Sequence, residues 1–273
     1  MLHMLEMTGC SKTFQKGTAN EVRPLRNVSL TLEKGSFVVV IGTNGSGKST
    51  LLNAVAGTFP PDEGRIILDG RDITAWPEHR RAKLIGRVFQ NPFSGTAPGM
   101  TIAENLAMAV RRGRFPGFGW ALNRRIMSEF REKAATLNMG LEDRLDTEVG
   151  GLSGGQRQAL TLLMATWQRP ILLLLDEHTA ALDPRSADRI IHLTNEIVTR
   201  EKLTTLMVTH SMAQAANLGA RLIMMHKGEI IRDFSGAEKK RQRPDDLLAH
   251  FDEVRRRELL DQNAADFLKE MYV

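Results

Sequence analysis

The sequence predicts an α/β fold with a mainly parallel β-sheet and a glycine-rich loop beside it. Apolar segments at Ile171 to Leu175 and Thr204 to Val208 flank a segment of helical spacing from Pro184 to about Arg200. Such strand–helix–strand alternation is typical of parallel strands joined by a covering helix. Upstream, the apolar strand Ser36 to Ile41 leads directly into the loop and then a helix from Lys48 to Ala56. Strand, glycine-rich loop and helix in that order favour a nucleotide-binding core.

Shorter signals predict an antiparallel portion beside this sheet. Two segments near the start alternate between apolar and polar residues as half-buried strands do. The predicted strands before residue 91 are Leu5 to Thr8, Val28 to Leu32, Arg65 to Leu68 and Gly86 to Phe89. Near the end of the core, Leu222 to Met225 and Glu229 to Phe234 are joined by Lys227-Gly228, which predicts a hairpin.

The chain divides into three predicted parts. Residues 1–90 and 151–236 form a nucleotide-binding core that includes the antiparallel portion. Residues 91–150 form a helical subdomain, and residues 237–273 form a charged helical extension. The helical spacing of the subdomain lies at Ile102 to Val110 and at Leu122 to Leu137.

Composition limits the possible classes of protein. The chain has 273 residues, of which 25% are charged, and a formal net charge of +5. This balance leaves open a solvated basic surface or contact with an anionic partner. The single cysteine, Cys10, excludes an intrachain disulfide and fits a reducing compartment. The longest apolar runs, Phe37 to Ile41 and Ile171 to Leu175, are too short to span a bilayer, so we expect any membrane role to require a partner.

The glycine-rich loop matches the phosphate-binding pattern G-x-x-x-x-G-K-[ST]. Glycines allow backbone N–H groups to approach phosphates without a clash from Cβ, and the helix that follows adds its positive end. Lys48 is expected to contact the β- and γ-phosphates, and the hydroxyl of Ser49 to bind Mg²⁺. The predicted nucleotide-binding residues of the loop are Gly42, Asn44, Gly45, Ser46, Gly47, Lys48, Ser49 and Thr50.

An apolar strand of four leucines ends in two carboxylates, Asp176 and Glu177. Asp176 at the tip of the strand is well placed to hold Mg²⁺ through water. Glu177 can then accept a proton from the water that attacks the γ-phosphate. A solvated acidic strand end is the alternative, and the phosphate-binding loop upstream favours the catalytic interpretation.

A second helix start follows the sequence Leu152-Ser153-Gly154-Gly155-Gln156. Ser153 is predicted to be the N-cap residue, and the two glycines leave backbone N–H groups accessible. A plain capped helix would not need Gly-Gly, which weakens helices. The segment therefore predicts a second phosphate-binding helix terminus.

In this order the motifs resemble those of ATP-binding cassette (ABC) ATPases, the nucleotide-binding subunits of ABC transporters. The resemblance covers about residues 5–235 and implies the P-loop NTPase fold of that family, with a RecA-like core, an antiparallel β portion and a helical subdomain. The landmarks are the Walker A loop Gly42 to Ser49, the glutamine loop at Gln90, the signature Leu152 to Gln156, the Walker B strand ending at Asp176, Glu177 after it, the D-loop Ala181-Leu182-Asp183-Pro184 and the switch histidine His210.

The resemblance also implies roles for these residues. Gln90 would sense Mg²⁺ and the attacking water, and His210 would contact the γ-phosphate. The implied catalytic residues are Glu177, His210, Gln90 and Lys48, and the implied Mg²⁺ site consists of Ser49, Gln90 and Asp176. Members of the family close as dimers, so Ser153, Gly154, Gly155 and Gln156 would meet the ATP held by the other subunit, and Asp183 would lie across the interface. Phe14 matches the aromatic position that stacks on adenine, with a core Phe as the alternative.

Partners follow from the resemblance as well. We expect ATP and Mg²⁺ as ligands, a second copy of the chain, an integral membrane permease and an extracytoplasmic substrate-binding protein, with no nucleic acid. The chain would lie peripherally on the cytoplasmic face of the cell membrane. Three stretches are similar to an importer subgroup associated with tryptophan/tyrosine-type substrate-binding proteins: Gly17 to Val22, Asp176 to Asp183 and Met224 to His226.

Several alternatives stay open at this level. The motifs are shared by ATPases of exporters and extraction complexes, by ABC proteins that act on DNA or ribosomes, and by nucleotide-binding scaffolds without turnover. The basic loop Arg111 to Gly119, with Arg124 and Arg125, is expected to contact a permease loop or lipid headgroups, or to be solvated. The extension could dock on its own core, contact the second copy or regulate through an apolar face of Leu247, Leu248, Phe251, Val254, Leu259, Leu260, Phe267 and Leu268.

Overall fold

The computed structural model describes residues 3–113, 123–254 and 256 of the chain. Each strand predicted above, and each predicted helix within the described residues, overlaps at least one of its elements, and β1 and β2 extend up to six residues beyond their predicted ends. The strands are β1 (His3–Phe14), β2 (Val22–Glu33), β3 (Phe37–Gly42), β4 (Glu63–Leu68), β5 (Arg71–Asp72), β6 (Ile85–Val88), β7 (Leu172–Asp176), β8 (Thr205–Val208), β9 (Arg221–His226) and β10 (Glu229–Ser235). The helices are α1 (Lys48–Ala56), α2 (Glu78–Arg81), α3 (Ile102–Val110), α4 (Arg124–Ala135), α5 (Gly154–Thr166), α6 (Pro184–Glu201), α7 (Met212–Asn217), α8 (Gly236–Arg241) and α9 (244–254).

Two sheets confirm the predicted mixture of parallel and antiparallel strands. The central sheet has the order β10–β9–β3–β8–β7–β6, and its neighbours are parallel except for the β9–β10 hairpin. The second sheet has the order β2–β1–β4–β5 and is antiparallel. Because β3, β8 and β7 are parallel neighbours, the loops that follow them meet at one edge of the sheet, where ligands bind in open α/β folds.

The central sheet is buried on both faces, which explains the continuous apolar runs of its strands. Val38 and Val40 of β3 belong to a core that also contains α1 and the antiparallel sheet. Val39 and Ile41 point to the other face, into a core shared with α3, α5 and α6. This alternation is the period of two expected of a strand, so β3 anchors the phosphate-binding loop between two hydrophobic cores.

Within residues 91–150, the predicted helical subdomain, α3 begins at a capping box formed by Thr101 and Glu104. The basic loop predicted from Arg111 to Gly119 lies outside the described residues from position 114 onward. Arg112 is partly buried and donates to the carbonyl of Ala165 at 3.2 Å, so its side chain is held against α5. No helix within the described ranges is long and apolar enough to cross a membrane.

The extension docks on its own core over the residues that the structure describes. The described part of the extension is divided into two helices, α8 and α9. Pro244 is the first residue of α9, and proline is favoured at the first position of a helix. Leu247 and Phe251 are buried in the core, whereas Leu248 is 48% exposed. The expectation that Leu248 shares the buried face is therefore wrong, since α9 presents a narrower apolar stripe. The other predicted members at positions 259, 260, 267 and 268 lie outside the described residues.

A buried arginine fixes the end of the helix that follows the phosphate-binding loop. The guanidinium of Arg81 donates to the carbonyls of Ala54 and Val55 in the last turn of α1, at 2.8 and 2.9 Å. It also donates to Trp76 and Thr74 at 2.8 and 3.0 Å. Burial lowers the pKa of Arg81 to about 10, and these carbonyls compensate for the lost solvation.

Gly57 ends α1 against this arginine, and replacing it with alanine should destabilise the fold. Its φ is 85°, and a Cβ would lie 2.6 Å from Nε of Arg81. Left-handed backbone and a steric clash together should lower the free energy of unfolding by about 2–4 kcal/mol. Gly70→Ala is the matched control, because Gly70 has φ 71° and open space around its Cβ position. Chemical denaturation should show a loss of about 1 kcal/mol for the control, and equal losses in both variants would contradict the role of Arg81.

Candidate functional site

The phosphate-binding loop between β3 and α1 packs closely against the core on one side and has an open tip on the other. A Cβ at Gly42 would lie 2.4 Å from the carbonyl oxygen of Met225. At Gly47, where φ is 100°, a Cβ would lie 2.1 Å from the carbonyl oxygen of Pro24. A Cβ at Gly45 would meet no atom within 4 Å. The loop therefore rests on the core through two glycines and presents its exposed tip to a ligand.

Lys48 is folded back onto this loop. Its side chain is buried, and Nζ donates to the carbonyls of Gly42 and Thr43 at 2.9 and 3.1 Å. Burial lowers the pKa of Lys48, and the charges of Glu177 and Asp176 oppose that shift. A cation held within a glycine-rich loop at the start of a helix can bind phosphate oxygens.

The loop after β7 brings a carboxylate to the start of α1. Oδ1 of Asp176 lies 3.4 Å from the hydroxyl of Ser49. Oδ2 lies 3.6 Å from a guanidinium nitrogen of Arg87, which also donates to Asn53 at 2.5 Å. Burial raises the pKa of Asp176, and Arg87 opposes the shift. A hydroxyl and a carboxylate at this spacing are hard oxygen ligands of the kind that Mg²⁺ prefers.

Glu177 adopts a backbone conformation that is rare for its residue type. Its φ is 43°, in the left-handed region, which costs about 1–3 kcal/mol and is typical of functional sites. Oε2 lies 3.4 Å from Nδ1 of His210, which follows β8 by two residues and is 60% exposed. The two predicted catalytic side chains therefore meet, as expected from neighbouring parallel strands.

A set of polar contacts behind this pair was not predicted. Thr209 donates to Oε1 of Gln214 at 2.7 Å, and Nε2 of Gln214 donates to Thr179 at 3.1 Å. Gln214 thus links Thr209, which precedes His210, to Thr179, which follows Glu177 by two residues. Together with Ser211 these side chains line a cavity of about 170 Å³. The S-x-x-Q spacing of Ser211 and Gln214 was the available signal, since it marks the start of α7.

Ser153 of the signature is the N-cap residue of α5, as predicted. Ser153 accepts from the backbone N–H of Gln156 at 3.2 Å, and the side chain of Gln156 returns to the N–H of Ser153, which completes a capping box. Gln156 also donates to the carbonyl of Met139 at 3.2 Å, so its side chain is held within the chain. Ser153 and Gly154 are exposed, and the first turn of α5 is open to an anion.

The signature packs against the start of α6. A Cβ at Gly154 would lie 3.1 Å from Leu182, and one at Gly155 would lie 3.1 Å from the hydroxyl of Ser186. Asp183 caps α6 by accepting from the N–H of Ser186 at 3.0 Å. The two glycines therefore allow close packing of α5 against Leu182 of the D-loop and Ser186 of α6.

Arg157 joins the signature helix to the segment after Gln90. Its guanidinium lies 3.7 Å from the centre of the Phe93 ring and donates to the carbonyls of Val149, Gly150 and Leu152. Gln90 itself is exposed just beyond β6. Sequence reasoning missed this contact because the stacked pair is separated by 64 residues.

Phe14 and His178 occupy different environments. Phe14, at the end of β1, is 39% exposed and packs edge-on against Phe59 with ring centres 5.1 Å apart, and Nζ of Lys12 lies 5.6 Å from the centre of its ring. His178 is buried and lies 3.0 Å from the hydroxyl of Thr194 on α6. Burial lowers its pKa to about 4, so His178 is a neutral packing residue at physiological pH.

Known proteins share this arrangement. The sequence model of a family described as "ABC transporter" matches residues 25–180. A tyrosine transport ATP-binding protein of Clostridioides difficile is 41% identical over 249 residues, which cover 91% of this chain and 99% of that protein. The chain belongs to the ABC transporter family. Within that family it is an ATP-binding subunit that hydrolyses ATP.

Further relatives place this ABC ATPase among transport ATPases. A lipoprotein-releasing system ATP-binding protein, LolD 1 of Caulobacter vibrioides, is 36% identical over 82% of this chain and 93% of its own length. The ADP conformation of the cassette MJ1267 superimposes with a TM-score of 0.72 at 28% identity, over 90% of this chain and 96% of that one. A dimeric post-hydrolysis state of the cassette MJ0796 with ADP and Pi gives a TM-score of 0.71 at 26% identity, over 85% and 98% of the two chains.

Proposed function

We propose that two copies of this ABC ATPase close head to tail around two ATP molecules and drive a separate membrane permease. The observation that carries the proposal is the second phosphate-binding helix terminus, at Ser153. Its neighbours within the chain are Met139, Leu182 and Ser186, while its exposed first turn is free to meet a phosphate held by another copy. The dimeric ADP and Pi state of MJ0796 supports this arrangement.

Each ATP would meet the edge of the central sheet in one subunit. Lys48 would exchange the carbonyls of Gly42 and Thr43 for the β- and γ-phosphates, which attract its charge more strongly. Glu177 would accept the proton of the water that attacks the γ-phosphorus, while the bond from phosphorus to the bridging oxygen of ADP breaks. His210 would contact the γ-phosphate, and Gln90 would orient the water.

We propose Mg²⁺ as the second ligand of this site. The hydroxyl of Ser49 and the carboxylate of Asp176, 3.4 Å apart, would hold it together with phosphate oxygens and water, and Gln90 would complete the set. The ion would neutralise the charge that develops on the phosphates. Phe14, whose side chain is partly exposed, would stack on adenine. Ser153, Gly154 and Gly155 of the second copy would cap the γ-phosphate.

A groove beside Gln90 supports a permease partner. It measures about 360 Å³ and has an apolar lining that includes Phe89, Met108 and Met164. It lies between residues of the proposed nucleotide-binding core, 1–90 and 151–236, and residues of the proposed helical subdomain, 91–150. A helix of the permease seated here would touch both parts, so closure of the dimer would move the permease. This arrangement would place the chain peripherally on the cytoplasmic face of the membrane.

The relatives favour import as the direction of transport. The Clostridioides difficile relative is a tyrosine transport protein, and we infer an amino-acid-like solute delivered by an extracytoplasmic substrate-binding protein. The lipoprotein-releasing relative makes an extraction complex the second candidate. Purification of the tagged chain from detergent-solubilised native membranes separates these candidates. Recovery of a permease with a solute-binding protein supports import, and recovery of ribosomes or DNA-associated proteins overturns the transport proposal.

Placing a charge in the groove should detach the permease. Met108 is 45% exposed there, and Met108→Glu would place a carboxylate among the apolar side chains that a permease helix would cover. We expect at least tenfold less permease recovered with the variant, about the effect of 1.4 kcal/mol, and an unchanged ATPase rate of the isolated subunit. Leu248→Glu is the matched control, because Leu248 is equally exposed on α9. Equal recovery with both variants would place the permease elsewhere.

A further inference from the structure

A buried lysine connects the C-terminal extension to α7. Lys239 of α8 is 3% exposed, and its Nζ donates to the carbonyl of Ala216 at 2.5 Å. Ala216 lies in the last turn of α7, where carbonyls lack partners within the helix and attract cations. The ammonium of Lys239 therefore donates to a carbonyl at the end of α7 that has no partner within α7.

The extension also adds apolar side chains to the core that contains α7. Leu247 and Phe251 of α9 lie in the same buried core as Ala215 of α7 and Leu218 just after it. Phe234 of β10 belongs to this core and packs against His250 with ring centres 5.3 Å apart. A helix of six residues is too short to persist by itself, so its position depends on these contacts.

The other side of α7 contacts the catalytic edge of the sheet. Gln214 holds Thr209, which precedes His210, and Thr179, which follows Glu177 by two residues. Ser211, the N-cap of α7, follows His210 directly and accepts from the N–H of Gln214. The helix is thus the element between Lys239 and the loop that carries His210.

We propose that Lys239 is a positioning residue for ATP hydrolysis, which holds α7 so that Gln214 keeps His210 beside Glu177. The inference rests on the role proposed above for His210. It gives residues 236–254 a function within the same subunit, because the extension sets the placement of the switch histidine. Lys48, Ser49 and the phosphate-binding loop would carry most of the ATP contacts, so we expect ATP affinity to depend little on Lys239.

The proposal predicts that replacing Lys239 slows ATP hydrolysis but leaves ATP binding nearly unchanged. In Lys239→Met, which leaves the carbonyl of Ala216 without its donor, we expect kcat for ATP to fall about tenfold, the effect of losing one hydrogen bond to a charged group. The KM and Kd for ATP should change less than twofold. Hydrogen–deuterium exchange should accelerate in a peptide covering residues 209–218 and stay unchanged in one covering residues 42–56.

Matched variants complete the test. Lys240→Met removes the same charge from an exposed neighbour and should match the unmodified protein in rate and exchange. Lys239→Cys in a Cys10→Ala background, treated with bromoethylamine to restore an amine at nearly the same length, should regain most of the lost kcat. If Lys239→Met instead reduces fold stability, the Cys variant before and after alkylation provides the same comparison.

His210→Ala distinguishes this proposal from the one on which it rests. Loss of turnover in His210→Ala together with an unchanged kcat in Lys239→Met would overturn the role of Lys239 alone. Full activity in His210→Ala would overturn the role of the switch histidine itself. Equal effects of Lys239→Met and Lys240→Met, or no recovery after alkylation, would also contradict the positioning role.

Discussion

Replacing Glu177 with glutamine should lower the ATP turnover number by about 10²- to 10⁴-fold, the contribution of a general base. The amide has nearly the shape of the carboxylate but cannot accept the proton of the attacking water. ATP affinity should stay within about twofold, because the phosphate contacts of Lys48 and the loop are untouched. The unusual backbone of Glu177, with φ of 43°, holds the side chain toward His210, and glutamine keeps that geometry.

Steady-state phosphate release and equilibrium nucleotide binding, measured on the same preparation, test this expectation. Glu196→Gln is the matched control, since Glu196 is 63% exposed and pairs with Arg200 on the outer surface of α6. The control should retain full turnover. Residual activity of Glu177→Gln above a tenth of that of the unmodified protein would show that another group accepts the proton.

Replacing Lys48 with methionine should weaken ATP binding by about 10- to 150-fold. The ammonium is the buried cation of the loop, and hydrogen bonds to a charged group contribute about 1.5–3 kcal/mol. Methionine retains the length and the apolar stem of the side chain, so the packing of α1 should persist. The carbonyls of Gly42 and Thr43 lose their donor, which adds a small loss of stability without nucleotide.

Isothermal titration calorimetry with ATP, paired with thermal unfolding, measures both effects. Lys34→Met provides the control, because Lys34 is an exposed lysine in the turn between β2 and β3. We expect ATP to raise the unfolding temperature of the control and to have little effect on Lys48→Met at the same concentration. Equal affinities for the two variants would remove Lys48 from the phosphate site.

The sequence predicts the fold, and it predicts that Glu177 and His210 belong to one site, for local reasons. Apolar runs buried on both faces, such as β3 and β7, can only be central strands. The spacing of the phosphate-binding pattern encodes a loop whose glycines at positions 42 and 47 leave no room for Cβ. Since parallel strands end at the same edge, motifs after β3, β7 and β8 must converge.

Contacts between distant segments could not be predicted in the same way. Arg87 meets Asp176, and Arg81 caps α1, across sequence separations that no local pattern encodes. The periodicity of the extension predicts an apolar face but not its width. It therefore wrongly places Leu248 on the buried face of α9. Lys239 lies in a run of basic residues that suggests a solvated surface, and only its burial against Ala216 reveals a different environment.

The central claim is that ATP joins two copies of the chain through the signature of one and the phosphate-binding loop of the other. Light scattering of Glu177→Gln after size-exclusion chromatography tests it most directly, because hydrolysis no longer removes the γ-phosphate between the subunits. With ATP and Mg²⁺ we predict twice the mass of one chain, and with ADP the mass of a single chain. A single-chain mass with saturating ATP at high protein concentration would contradict the claim.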